Sequence, residues 1–301
     1  MKLVVAGATG FIGSALCSRL IEQGHSLAVL TRSPPTRAAS PNIKRHIWNP
    51  PSSGSLQPAI NGADGIINLA GEPIAARRWT ARQKAKIRSS RIDATSTLVE
   101  AIADAKEKPK FLINGSAIGY YGAHDEEQLT EEAGPGGDFL ARVCVEWESE
   151  ARKAGGYGLR VVLLRTGIVL GRGGGALAKM VPPFRFFVGG PLGSGKQWMS
   201  WIHLEDEIGL IQFLIENPQT HGAVNATAPN PVTMKEFCKM LGSGIHRPSW
   251  APVPAFVLRL MLGEMAEMLL TGQRVLPSKA QSLGYRFKHP TLSEALGGLL
   301  G

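Results

Sequence analysis

The sequence predicts an α/β protein: a Rossmann-type, doubly wound parallel sheet with a smaller C-terminal subdomain. Three observations predict it. Short apolar runs alternate with longer amphipathic stretches through the first half. The first run leads straight into a glycine-rich turn, Gly7-Ala8-Thr9-Gly10-Phe11-Ile12-Gly13, which opens a helical pattern. Beyond about residue 170 the texture changes to stretches rich in glycine and proline, such as 171–175 and 189–195.

The elements follow in order. Runs 4–6, 26–31, 43–48, 65–69, 110–114 and 160–165 read as strands. Between them, 11–22, 81–104 and 139–154 carry helical spacing. Strands that alternate with helices form right-handed βαβ units, which place the strand carboxyl ends along one edge. We therefore divide the chain into a dinucleotide-binding domain over 1–170 and a second subdomain over 171–301, with some elements returning to the main sheet. In that second part 234–241 and 254–270 read as helices. The loops 171–176 and 182–195 read as walls of a cleft.

Composition narrows the function classes. Of 301 residues, 44% are apolar and 19% charged, values that exclude a disordered chain. The longest apolar runs, such as 66–70 and 161–164, are too short to span a bilayer. Three scattered cysteines, Cys17, Cys144 and Cys238, form neither a disulfide framework nor a CxxC zinc site and suit a reducing compartment. The first strand begins directly after Met1-Lys2, so a cytoplasmic location and no membrane are expected. The net charge of +9 favours anionic partners. Seven basic residues and no acid lie between Arg77 and Arg91. Among these, Lys84 with Arg88 and Arg88 with Arg91 share a helix face, and the remaining charges are expected to face water. The chain has no helix-turn-helix, RNP aromatic motif or zinc finger, so no nucleic-acid partner is expected.

The glycine-rich turn carries the chemistry. Gly7 permits a tight turn, Gly10 lets a pyrophosphate approach the backbone, and Gly13 lets the helix pack close to the sheet. The amides and dipole of the helix start then stabilise the phosphates. An NAD enzyme usually carries an acid near the end of the second strand, about twenty residues past the glycines. Here the run 27–32 has none and ends in Arg32, whose guanidinium suits an extra phosphate. The expected cofactor is NADP(H).

Other segments point to a family. Gly7–Gly13, Asn68-Leu69-Ala70-Gly71, Gly115-Ser116-Ala117, the stretch 164–171 and Trp201-Ile202-His203-Leu204-Glu205-Asp206 resemble signatures of the extended short-chain dehydrogenases/reductases. Gly71-Glu72-Pro73-Ile74, Arg78-Trp79-Thr80, Gly119-Tyr120-Tyr121-Gly122, 137–139, 182–185, 189–195 and Gly263-Glu264 resemble the atypical, YfcH-like group called the epimerase family. The resemblance spans essentially the whole chain. It implies a cofactor set of Gly7, Thr9, Gly10, Phe11, Ile12, Gly13, Thr31, Arg32, Asn68, Leu69, Ala70, Gly71, Gly115 and Ile168. Lys86 and Arg91 would join them, Arg91 standing where the superfamily has an asparagine.

A working enzyme of the superfamily uses Tyr-x-x-x-Lys, and this sequence has none. Four residues after Tyr120, Tyr121, Tyr157 and Tyr285 come His124, Asp125, Val161 and His289. Registering Trp147-Glu148 against the family places Leu140 at the tyrosine and Cys144 at the lysine. Ser116 is then expected to donate a hydrogen bond to a substrate oxygen. Tyr120 or Tyr121 is the candidate to replace the missing acid; the bland alternative is that both are packing aromatics. Cys144 reads as a small core residue or a redox thiol, and His203 as structural or a base. The sequence thus supports an NADP(H)-dependent oxidoreductase or nucleotide-sugar epimerase/dehydratase-like enzyme acting on a small molecule. The competing reading is a non-catalytic NADP(H)-binding redox sensor. The sequence assigns no metal and no oligomeric state.

Overall fold

The computed structural model describes residues 1–32, 41–52 and 56–300. In chain order the elements are β1 (Lys2–Ala6), α1 (Phe11–Glu22), β2 (Ser26–Thr31), β3 (Ile43–Ile47), α2 (Gln57–Ile60) and β4 (Gly65–Asn68). Then come α3 (Ala81–Ala103), β5 (Phe111–Ala117), β6 (Gln128–Leu129), α4 (Phe139–Arg152), β7 (Arg160–Thr166), β8 (Ile168–Gly171) and β9 (Gly174–Gly175). The second half adds α5 (Leu177–Arg185), β10 (Trp198–Met199), β11 (Trp201–His203), α6 (Leu204–Glu216), β12 (Gly222–Ala226), and later α7 (Met234–Gly244) and α8 (Ala255–Leu262).

Seven strands form one sheet in the order β12-β7-β5-β4-β1-β2-β3, and every pairing is parallel. The chain winds outward from β1 to β3, then returns to β4 and winds the other way, so the switch point lies between β1 and β4. A parallel sheet needs cover on both faces, and its central strands β1, β4 and β5 are accordingly buried along nearly their whole length. Leu3, Val5, Ile67 and Ile113 face α1 and α6. Val4, Ala6, Ile66 and Leu112 face the opposite way, into a core with Leu98 and Ile102 of α3. The strand at one edge, β12, comes from beyond residue 171, so the sheet is completed by the second half of the chain. Among the described residues no helix is long and apolar enough to cross a membrane.

The second half departs from expectation in two places. The stretch 254–270 is three short helical segments rather than one helix, because Gly263 sits at φ 63°, a left-handed conformation that ends α8. The supposed loop at 182–185 is the end of α5, which contains Pro182 and Pro183. The glycines at 171–175 form the β8–β9 pair and pack on Phe11, whose ring lies 2.4–2.9 Å from where their β-carbons would stand at Gly171, Gly174 and Gly175.

Candidate active site

The parallel register brings the carboxyl ends of β1, β2, β4, β5 and β7 to one edge. Gly7-to-Gly13, Thr31-Arg32, Leu69–Gly71 and Ser116 therefore lie along it. At the switch point Gly7, with φ 80°, presses on β4: a β-carbon there would lie 2.5 Å from Leu69 C. Gly13 is buried beneath the turn, and a β-carbon there would lie 2.2 Å from Gly7 O. Gly10 differs. It is exposed, and its missing β-carbon would meet only Gly7 O, at 3.2 Å. No side chain caps α1 at Gly10 and no acid occupies the first turn. Thr9 is exposed, while Phe11 and Ile12 are half-buried. The helix start thus offers amides and a positive dipole end to an anion.

The neighbouring strand ends add charge. Arg32 is exposed just past β2, on the same side as Glu72, whose carboxyl senses its charge. Burial works to raise the Glu72 pKa, but Lys86 at 3.0 Å and a hydrogen bond from Gln83, with a smaller contribution from Arg32, outweigh it and hold the carboxyl below its usual range. Lys86 is therefore engaged by a protein partner. Arg91 donates to the carbonyls of Glu72 and Ile87 at 3.1 and 2.9 Å and lies 5.2 Å from the Trp147 ring centre. Its guanidinium carbon lies 3.0 Å from the β-carbon position of the exposed Gly71. Burial lowers its pKa, while Cys144 and Glu72 oppose that shift. Of the other cations in the run, Lys84 pairs with Glu264 at 2.9 Å and Arg88 with Glu146, so these charges tie elements together.

Three expected cofactor residues have groups engaged within the fold. Asn68 is fully buried, and its side chain is spent within the protein. Its amide donates to Thr95 Oγ1 and Asn114 Oδ1, and its oxygen accepts from the Ala70 amide. It shapes the strand end from beneath. Gly115 is buried against Trp147, whose ring lies 3.1 Å from the β-carbon position, so the glycine makes room for α4. Ile168 is half-buried, and its amide donates to Ser200 O at 2.9 Å, a bond within the fold.

The reacting end of the edge is built around Ser116. Its hydroxyl donates to Glu148 Oε1 at 2.8 Å. Glu148 also accepts from Arg165 Nε at 2.8 Å, Arg165 Nη2 at 2.9 Å and Arg152 Nη2 at 3.3 Å. The Glu148–Arg165 pair is almost wholly buried, at 2% and 3% side-chain exposure. Burial works against the Arg165 charge, but Glu148 raises its pKa overall. A serine has one proton, and here it is committed. The expectation was that Ser116 donates to a substrate oxygen; in this structure its hydroxyl is buried and its proton is given to Glu148.

The two tyrosines separate. Tyr121 is fully buried, donating to Asn225 Oδ1 at 2.6 Å and accepting from Arg165 Nη1 at 3.0 Å. Burial raises its pKa, although Arg165 and Asn225 partly offset the shift. It is a structural tyrosine, and the catalytic expectation for it is withdrawn. Tyr120 is half-buried with the Arg165 guanidinium 3.4 Å from its ring centre. Leu140 is half-buried against Gly119. Cys144 is buried, and burial with the nearby Glu148 pushes its thiol up to about 12, so it is not a thiolate nucleophile.

The Glu148–Arg165 pair is what sequence reasoning missed. The signal was present: Arg165 closes an apolar run in a strand buried on both faces, and a charge there requires a partner. His203 caps α6, its Nδ1 accepting the Glu205 amide at 3.1 Å, and stacks on His289 at 3.8 Å. With Glu205 these rings form a trio whose ligand atoms lie within 4.8 Å of one another. The cap bond, however, occupies the Nδ1 lone pair and leaves Nε2 carrying the proton, which works against an ion there. A cavity of about 880 Å³ lies away from the glycine turn, between residues 123–127 and 194–198, with Leu270–Gly272 contributing. None of the strand-end residues lines its walls.

The comparisons with known proteins agree with this geometry. Residues 3–226 match the NAD dependent epimerase/dehydratase family, and residues 253–299 match a domain of unknown function, DUF1731. The chain is 44% identical over 306 residues to the Arabidopsis thaliana epimerase family protein SDR39U1 homolog, chloroplastic, covering all of this chain and 87% of that protein. It is 40% identical to the Bacillus subtilis epimerase family protein YfhF, covering 100% of this chain and 98% of that one. The crystal structure of human epimerase family protein SDR39U1 (isoform 2) with NADPH superposes with a TM-score of 0.90 at 34% identity, covering 100% of this chain and 99% of that one. The turn, the doubly wound sheet and these matches over the full length together make the chain a member of the NAD dependent epimerase/dehydratase family.

Proposed function

We propose that this chain binds NADP(H) along the strand-end edge and acts there as an oxidoreductase or epimerase on a small molecule. The observation that carries the reading is the cradle at Gly10. It is open where a side chain would obstruct a phosphate, uncapped and free of acid, with Arg32 rather than an acid past the end of the second strand. The NADPH in the human SDR39U1 crystal structure supports the choice of cofactor. The Gly10 turn, with the Phe11 and Ile12 amides, would hold the pyrophosphate; Arg32 would take the extra phosphate; Arg91, beneath Gly71, would meet the nicotinamide-side ribose.

When bound, the group supplies or accepts a hydride. Tyr120 is the side chain left to move the proton, because Tyr121 and Ser116 are committed to protein partners and Leu140 cannot titrate. On reduction of a carbonyl, Tyr120 would give its phenolic proton to the substrate oxygen, and solvent would restore it. A second reading, a redox sensor without turnover, is favoured by Leu140 and the inert Cys144 at the positions of the usual dyad. Calorimetry with NADPH tests the binding, and NADPH turnover across a carbonyl panel tests the chemistry. Turnover abolished by Tyr120→Phe with unchanged NADPH affinity supports the enzyme. Tight NADPH binding with no turnover on any substrate supports the sensor.

A further inference from the structure

An acid stands among the cations of the cofactor edge. Resting on the NADP(H) reading, we infer that Glu72 is a specificity-setting residue: its carboxylate is the resident counter-ion of Lys86 and Arg32, and it limits how strongly the site prefers NADP(H) over NAD(H).

The backbone places Glu72 at the edge. β4 ends at Asn68, and the next two residues press on the glycine turn: the β-carbon position of Gly7 lies 2.5 Å from Leu69 C and 2.8 Å from Ala70 N. The exposed Gly71 follows, and then Glu72, which two residues of chain hold within about 7 Å of Ala70. Both backbone groups of Glu72 are tied to α3. Its amide donates to Ser90 Oγ at 2.9 Å, and its carbonyl accepts from Arg91 Nη1 at 3.1 Å. The side chain is therefore aimed by a fixed backbone. Its carboxylate lies 3.0 Å from Lys86 Nζ and is mostly covered, at 12% exposure, whereas the Lys86 side chain is 55% exposed. Arg32, exposed just past β2, adds its field to that of Lys86, and the carboxyl is held in its charged form.

A negative charge so placed acts on a phosphate in two ways. It repels a dianion arriving at Arg32, an effect worth several-fold in affinity for charges a few ångströms apart near a protein surface. It also engages Lys86, whose long exposed side chain would otherwise stand as a second free cation beside the edge. Both effects fall on the extra phosphate that distinguishes NADP(H). NAD(H) lacks that group, and its pyrophosphate belongs to the Gly10 turn, where the helix start and not a side chain supplies the positive end. Arg32 thus creates the preference and Glu72 moderates it. The neighbouring pair, Lys84 with Glu264 at 2.9 Å, has the same chemistry. Lys84 and Lys86 are two positions apart on α3, however, and residues so spaced do not share a helix face.

The test is calorimetric titration of the full chain with NADPH and with NADH at low salt. Glu72→Gln is the working variant; it keeps the side-chain shape and both backbone bonds and removes the charge. Glu72→Asp retains the charge, and Glu264→Gln removes one charge at the neighbouring pair. The expected result is NADPH bound at least about fivefold more tightly by Glu72→Gln, with NADH within about twofold of wild type. The gain should shrink at about 0.5 M KCl, where exposed charges are screened. Glu72→Asp and Glu264→Gln should stay within about twofold of wild type for both nucleotides. Unchanged NADPH affinity in Glu72→Gln would overturn the inference, as would an equal gain for NADH or an equal gain in Glu264→Gln. Weaker binding of both nucleotides by Glu72→Gln would also overturn it, and would make the carboxylate an acceptor for a ribose hydroxyl. Failure of the cofactor reading is seen separately, as wild type that takes up no NADPH.

Discussion

Ser116 donates its only hydroxyl proton to Glu148, 2.8 Å away, and Glu148 holds Arg165 through two further hydrogen bonds. This relationship fixes what the serine can do toward a ligand, and it places a buried ion pair directly under the strand end. Removing one partner leaves the other charged and unpaired in the core. Glu148→Gln should cost about 3–5 kcal/mol of stability, read from urea unfolding midpoints. A loss below about 1 kcal/mol would show that Arg165 finds another partner.

Two glycines of one turn should respond differently. A β-carbon at Gly13 would lie 2.2 Å from Gly7 O, so Gly13→Ala forces α1 away from the sheet and should reduce the yield of folded protein. A β-carbon at Gly10 meets only one atom, at 3.2 Å, on an exposed surface. Gly10→Ala should therefore unfold within about 1 kcal/mol of wild type. Its NADPH affinity should nevertheless fall at least about tenfold, because the methyl group occupies the phosphate approach. Thermal unfolding and calorimetry on both variants check the contrast.

Glu207 sets a pH dependence. Its carboxyl is wholly buried; burial pushes its pKa up to about 8, with the hydrogen bond from Thr166 at 2.8 Å working the other way. Its second oxygen has no partner among the described residues. An unfolded glutamate titrates near about 4.3, so between that pH and 8 the folded state holds a proton that the unfolded state has lost. This contribution to stability is fully present below about pH 4.3 and is lost as pH rises toward 8. Glu207→Gln should remove that slope and be the more stable protein at pH 8, by a few kcal/mol. Melting temperatures at pH 5 and pH 8 for both proteins provide the check.

All three cysteines are buried, and burial raises their pKa values, to about 11 for Cys17 and about 12 for Cys144 and Cys238. Native protein at pH 7.5 should leave a thiol-exchange reagent unreacted over the time in which urea-unfolded protein titrates three thiols. Rapid labelling of Cys144 in the native state would restore it as a redox candidate.

Much of the fold was legible because local chemistry and global topology agree. The 3.6-residue spacing over 11–22 gives α1 with the same bounds, and the glycine turn sits at the switch point its spacing implies. The errors share one cause: the deciding partner is remote in sequence. Tyr121 looks like a candidate acid until Asn225, 104 residues on, takes its proton. Asn68 looks like a ligand contact until Thr95 and Asn114 claim its amide. The run 254–270 reads as one helix because a single glycine is tolerated in such a pattern; in the fold Gly263 turns left-handed, with the Arg78 guanidinium beside it. The Ser116–Glu148–Arg165 arrangement unites β5, α4 and β7, and no spacing within one segment encodes it.

On the proposed reading, the Gly10 cradle and Arg32 together select NADP(H). Calorimetric titration of wild type and Arg32→Glu with NADPH and NADH tests it most directly. Wild type should bind NADPH more tightly than NADH. The substitution should weaken NADPH by more than about tenfold, the worth of a charge-assisted phosphate contact, while NADH changes far less. Wild type that ignores NADPH at millimolar concentration, or a variant whose preference is unaltered, would rule out this mode of cofactor selection.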